Sequence, residues 1–181
     1  MKHPETYDLF PILVQKYSII NDSVILEDIF ANEDLGEHQL LIDSKRSKES
    51  YVLDNYVDLK AHIQEAIDLY TTKLGIRSIK ISQSWYAIAN NGGHITRHTH
   101  PGSVISGAYY PFIETGRTFF AVENPNPDEV WNNLTKYNET AHDFELRSDD
   151  LLLFPSRLNH FTDPNQGGTR ICVSFNTKYV D

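Results

Sequence analysis

Between Ser78 and Lys178 the sequence breaks into short runs rich in β-branched and aromatic residues, most of them bounded by Gly, Pro, Asn or Asp. The runs cover residues 78–89, 104–113, 118–122, 141–146, 151–154 and 170–178. Such side chains fit a pleated, partly buried surface, and the bounding residues supply turns. Strands this short and this close together bury their faces only in a sandwich or a barrel. Ahead of them lies one strong helical pattern, Val57 to Leu74. There Leu59, Ile63, Ala66, Ile67, Tyr70 and Leu74 recur at helical spacing, and Gly75 stands where the helix should stop. That stripe needs an apolar support, and a sheet face provides one. Val24 to Phe30, after the capping signal Asn21-Asp22-Ser23, is a second apolar-rich stretch. Residues 34–50 are mostly polar and charged and, apart from Leu40, Leu41 and Ile42, read as loop, and Asn91-Gly92-Gly93 reads as a turn. The expectation is one domain over residues 1–181, mainly β with supporting helices. Residues 1–77 would form helical support and N-terminal segments, and 78–181 the β core.

Charge and cysteine content narrow the function. A formal net charge of −9 opposes non-specific binding to nucleic acid or an anionic membrane, since both need a positive field. The one basic cluster, Lys45, Arg46 and Lys48, falls in the polar stretch and reads as solvated surface. Cys172 is the single cysteine, so neither an internal disulfide nor a paired-cysteine zinc or redox site is available, and a reducing cytoplasm fits. Met1 to Phe10 lacks the basic start and apolar run of a secretion signal, and no segment approaches the ~20 apolar residues of a membrane span. No GxSxG elbow, P-loop or GxGxxG turn occurs, which disfavours hydrolase and nucleotide chemistry.

Of the eight histidines, His98 and His100 stand two apart in Arg97-His98-Thr99-His100-Pro101. In extended chain, residues i and i+2 project from one face ~6–7 Å apart, so two imidazoles there can converge on one metal ion. His160 follows 62 residues after His98, on or beside a strand. A nitrogen from it would complete a facial set of three and leave the other octahedral positions open. A lone histidine is more often a surface or hydrogen-bonded core residue, and His3, His38, His62 and His142 are assigned to that role. His94 shares strand parity with the pair and stands as a supporting residue or an alternative ligand. Arg170 comes ten residues after His160 and opens an alternating strand whose one face carries Arg170, Cys172, Ser174 and Asn176. A guanidinium there can grip a carboxylate through two parallel hydrogen bonds.

With these residues in place, the chain resembles the 2-oxoglutarate- and Fe(II)-dependent oxygenase superfamily, in particular its small branch related to prolyl hydroxylases. The resemblance rests on His98-Thr99-His100-Pro101, Ser106-Gly107-Ala108-Tyr109-Tyr110, Leu153-Phe154-Pro155-Ser156 with His160, and Arg170 through Ser174-Phe175-Asn176. It covers roughly Trp85 to Thr177. It implies a double-stranded β-helix of the jelly-roll or cupin kind, an Fe(II) ion, O2, and 2-oxoglutarate as cosubstrate. The implied reaction is a hydroxylation that releases succinate and CO2. It further implies His98 as first ligand and His160 as distal ligand. His100 stands where the superfamily usually carries Asp or Glu, and either it ligates as a third imidazole or water takes that place. Arg170 would bind the C5 carboxylate of 2-oxoglutarate, with Tyr110 (Tyr109 second to it) and Ser174 as further partners. Trp85 and the loop from Asn124 to Tyr137 would border the substrate pocket. Two other classes stay open: a cupin-like three-histidine metalloenzyme that does not use 2-oxoglutarate, and a non-catalytic β-sandwich binding a sugar or a protein, which the tyrosines and Trp131 would suit. The substrate stays open between a prolyl or other amino-acid residue and a small metabolite.

Overall fold

A computed structural model describes residues 10–19, 24–123, 133, 135–136 and 138–180. The Asn21-Asp22-Ser23 capping signal and most of the loop from Asn124 to Tyr137, including Trp131, lie outside the described residues.

The helical pattern at Val57–Leu74 forms the long helix α2, preceded by α1 (Val24–Ala31) and a short 3-10 turn at Val52–Asn55. Leu59, Ile63, Ala66, Ile67, Tyr70 and Thr71 are the buried stripe of α2. Gly75 ends the helix in the left-handed region (φ 68°), and its N–H reaches back to the carbonyls of Thr71 and Thr72. A residue with a β-carbon would meet strain there, so the stop is written into the glycine.

The strands β1 (Gln15–Ser18), β2 (Leu35–Gly36), β3 (Leu41–Ser47), β4 (Ile79–Ile95), β5 (Ile105–Ile113), β8 (Asp150–Pro155) and β10 (Arg170–Tyr179) form one seven-stranded sheet in the order β1-β8-β5-β10-β4-β3-β2. Strands β6 (Arg117–Ala121), β7 (Ala141–Glu145) and β9 (Asn159–Thr162) form a second sheet, β7-β6-β9. All pairings between these strands are antiparallel. This is the double-stranded β-helix that the resemblance implied. Alternation along the central strands explains the two cores. Leu151, Leu153, Tyr109, Ile171, Val173 and Phe175 turn outward beneath α1 and α2. Leu152, Phe154, Ala108, Tyr110 and Cys172 turn inward toward the small sheet. Strands buried on both faces read as unbroken apolar runs, which is why Leu151-Leu152-Leu153-Phe154 shows no polar alternation. Each fully buried Leu or Phe contributes roughly 1.5–3 kcal/mol.

Two expectations need correction. Residues 34–50 are not all loop: they hold β2 and β3, which pair with each other, and β3 pairs in turn with β4. Charged residues near a sheet edge prevent unwanted edge pairing, and they disguise such a strand as loop. Asn91-Gly92-Gly93 is not a turn between strands, because β4 runs through it to Ile95. The glycines serve close approach: a β-carbon on Gly93 would lie 2.7 Å from the Asp43 carbonyl oxygen. Among the described residues no helix is long and apolar enough to cross a membrane.

Candidate active site

Between the two sheets lies a cavity of about 380 Å³, whose wall includes His98, His100, His160, Trp85, Tyr110 and Ser174. His98 and His160 are brought together by their backbones. The two residues form an antiparallel bridge, each N–H donating to the other's carbonyl at 3.0 Å. The His100 N–H donates to the Ser156 carbonyl at 2.8 Å, which brings the third imidazole back over the same cavity. The ring centroids lie 4.2 Å apart for His98 and His160, 4.9 Å for His98 and His100, and 5.0 Å for His100 and His160. One ligand atom from each ring lies within 4.8 Å of the other two.

Hydrogen bonds orient the rings. Nδ1 of His98 lies 2.8 Å from the Thr96 carbonyl, and Nδ1 of His160 lies 2.9 Å from the Leu158 carbonyl. Each Nδ1–H donates to that oxygen, so each Nε2 keeps its lone pair for the cavity. Nε2 of His100 sits 3.1 Å from Nε2 of His160. Two nitrogens bound cis at ~2.1 Å on an octahedral ion lie about 3.0 Å apart, which matches. Burial lowers all three imidazole pKa values, His100 to about 4 and His160 to about 3, and the neighbouring imidazoles push in the same direction. They are therefore neutral, as ligands must be, and the donor set fits a divalent cation.

Toward the far end of the cavity the wall is hydroxyl-rich. The Tyr110 hydroxyl is 2.6 Å from Thr118 Oγ1 and wholly buried, and burial raises its pKa well above the usual value. Thr162 Oγ1 accepts from Arg170 Nη2 at 2.9 Å and from the Ile95 N–H at 3.0 Å. With its acceptor capacity used, the Thr162 hydroxyl keeps its own proton for the cavity it lines. Arg170 itself is not among the residues lining the cavity. It is 3% exposed and stands behind Thr162, donating also to the Gly93 and Asp163 carbonyls and pairing with the Asp163 carboxylate at 3.3 Å. The open guanidinium fork expected from the sequence is thus partly engaged. Ser174 lines the cavity two residues from Cys172, whose Sγ lies 3.4 Å from its Oγ. Tyr109 faces the outer core instead and donates to Asp149.

His94 does not join the three. Its Nδ1 contacts the Gly92 carbonyl at 3.0 Å, and it lies outside the cavity wall. Strand parity from β4 fails because the strand ends at Ile95 and the chain bends before His98. The cavity residues that escaped the sequence reading include His38, taken for an ordinary histidine, and Arg46, taken for solvated surface. Arg46 lies over the Trp85 ring, its Cζ 5.0 Å from the centroid. Thr162 was also missed; its position two residues after His160 on one strand face was the available signal.

Comparison with known proteins agrees with this architecture. Residues 83–176, just over half of the chain, match the family model described as "Putative 2OG-Fe(II) oxygenase". No curated protein matches the sequence. Among solved structures, the fold is similar to the non-heme alpha ketoglutarate dependent epimerase SnoN from nogalamycin biosynthesis (TM-score 0.65, 11% identity, covering 92% of this chain and 78% of that one). It is similar also to a Pseudomonas putida prolyl-4-hydroxylase (TM-score 0.57, 15% identity, 93% of each chain). A third is HygX from Streptomyces hygroscopicus, solved with nickel and 2-oxoglutarate bound (TM-score 0.59, 12% identity, 93% of this chain and 84% of that one). At these identities the structures speak for the fold, while the family match over the segment that carries all three histidines speaks for the chemistry: the chain belongs to the family of 2-oxoglutarate- and Fe(II)-dependent oxygenases.

Proposed function

We propose that His98, His100 and His160 hold the Fe(II) ion and that the protein hydroxylates an aliphatic C–H bond of a substrate entering past Trp85. The observation that carries this is the convergence of three neutral imidazole nitrogens, two of them at cis-ligand distance, on the wall of one cavity. The iron and 2-oxoglutarate supply the oxidising power for O2 chemistry, with succinate and CO2 as coproducts. The protein's part is to bind, orient and exclude water. Nδ1–H bonds to Thr96 and Leu158 hold two ligands in one tautomer and one orientation.

The distal carboxylate of 2-oxoglutarate belongs, in this reading, at the hydroxyl-rich end. The Tyr110 and Thr162 hydroxyls donate to it and Ser174 borders it. Arg170, paired with Asp163 just behind, fixes the Thr162 hydroxyl. Tyr110 stays protonated, as a donor must. The substrate is an amino-acid residue, prolyl among them, or a small metabolite. Anaerobic titration with Fe(II) and 2-oxoglutarate, followed by a succinate assay, tests the assignment. His160→Ala should abolish both metal binding and iron-dependent succinate formation, and unchanged turnover would refute it.

A further inference from the structure

Arg46 is the only Lys, Arg, Asp or Glu side chain among the described residues lining the cavity. It is half-buried, and burial lowers its pKa. Among the described residues it has no acidic partner: its one hydrogen bond runs from Nε to the Ser47 carbonyl at 3.3 Å. By contrast, Arg117 pairs with Asp143 and Arg170 with Asp163. A guanidinium drawn into a wall without a counter-charge is costly unless a ligand supplies the charge. With Nε engaged, the two terminal nitrogens form a planar fork suited to a carboxylate.

Its place separates it from the proposed cosubstrate end. Arg46 pairs across from Ala87 and leans over Trp85, while Arg170 pairs across from Ala89 and reaches toward Gly93. The two guanidinium groups thus diverge along β4. The metal-ligand candidates lie between them: the His100 ring is 5.8 Å from the Trp85 ring, and His160 is two residues from Thr162. A cation therefore stands on each side of the histidines: Arg170 behind the wall and paired with Asp163, and Arg46 on the wall with no acidic partner among the described residues.

We propose that Arg46, placed over the Trp85 ring, anchors a carboxylate of the substrate being oxidised. The substrate class is then a small organic or amino acid with a free carboxylate, not an internal residue of a polypeptide. This rests on the oxygenase reading above, and the experiment separates the two. Protein loaded with Ni(II) is titrated calorimetrically with 2-oxoglutarate, then with free amino acids and short aliphatic acids, each beside its primary amide, and with an acetylated, amidated prolyl peptide. At least one acid should bind about 10–100-fold more tightly than its amide, as expected for a charge-assisted pair. Arg46→Gln should erase that ratio with the 2-oxoglutarate titration unchanged, and Arg46→Lys, which keeps the charge but not the fork, should restore part of it. If wild-type protein takes up no 2-oxoglutarate, the underlying reading falls and this one with it. If 2-oxoglutarate binds but no acid does, or the capped peptide alone binds, or the acid preference survives in Arg46→Gln, this inference alone is overturned. A loss of 2-oxoglutarate affinity in Arg46→Gln also overturns it, because Arg46 would then serve the cosubstrate.

Discussion

Metal-free protein should lose stability steeply as the solution turns mildly acidic. The cause is the cluster of His98, His100 and His160, buried together with their imidazole pKa values pushed below the ordinary 6.5. Below that value the unfolded chain binds protons that the folded chain refuses. The stability is therefore complete above 6.5 and falls as the pH falls toward the folded values, about 4 for His100 and about 3 for His160. His160 is 8% exposed, so solvent screens it little. At about pH 5, roughly one and a half units below the unfolded value, keeping this one imidazole uncharged costs roughly 2 kcal/mol at about 1.4 kcal/mol per unit. His100 and His98 add with the same sign, and the whole stability of a domain is roughly 5–15 kcal/mol. The assay is urea unfolding in the presence of a chelator, stepped from about pH 7.5 to about pH 5. His160→Gln, which keeps the size but not the titration, should flatten the lower part of the profile by up to about 1.4 kcal/mol per pH unit. A wild-type profile that is flat across this range, or one that His160→Gln leaves unchanged, would refute the idea that the three rings are held neutral by burial.

Two further predictions address the proposed roles. Arg170→Gln removes a buried cation from the Asp163 carboxylate, the Gly93 carbonyl and the Thr162 hydroxyl; the affinity for 2-oxoglutarate should fall about 10–100-fold with Ni(II) affinity unchanged, read by calorimetry. His100→Asp puts a carboxylate where the superfamily usually has one; the metal should still bind, while the dianion 2-oxoglutarate should bind about tenfold more weakly because the site has gained one negative charge, and equal or tighter binding would count against the three-imidazole ligand set.

What the sequence made legible was whatever repeated or stood in register. The α2 stripe from Leu59 to Tyr70 and its Gly75 stop were readable because helical spacing and a left-handed cap are local signals. The same holds for the β10 face that carries Cys172, Ser174 and Asn176 into the cavity. The β3 strand was not legible, because its alternation is broken at its centre. Asp43 takes a positive φ of 46°, and the pairing with β4 shifts register between Ile42 and Ser44. That irregularity, together with the basic run around it, hid Arg46. Distance along the chain hid the rest: nothing local to His160 announces that its backbone bridges to His98, and nothing in Thr162 shows that Arg170 and the Ile95 N–H both spend their hydrogens on it.

The choice of three imidazoles has a consequence for the charge inside the cavity. On the proposed ligand set, a dication keeps its full charge, because none of its protein ligands is anionic. No Asp or Glu lines the cavity among the described residues. The dianion 2-oxoglutarate then balances the ion, and Asp163 already balances Arg170. One positive charge is left over, that of Arg46, and it lies on the Trp85 side where the substrate would enter. A site with the usual carboxylate ligand would be one charge lower and would have less use for a second anion. The replacement of an acid by His100 and the unpaired guanidinium of Arg46 are, on this account, two parts of one arrangement: a cavity that reaches electrical balance only when both an acidic cosubstrate and an acidic substrate are in place.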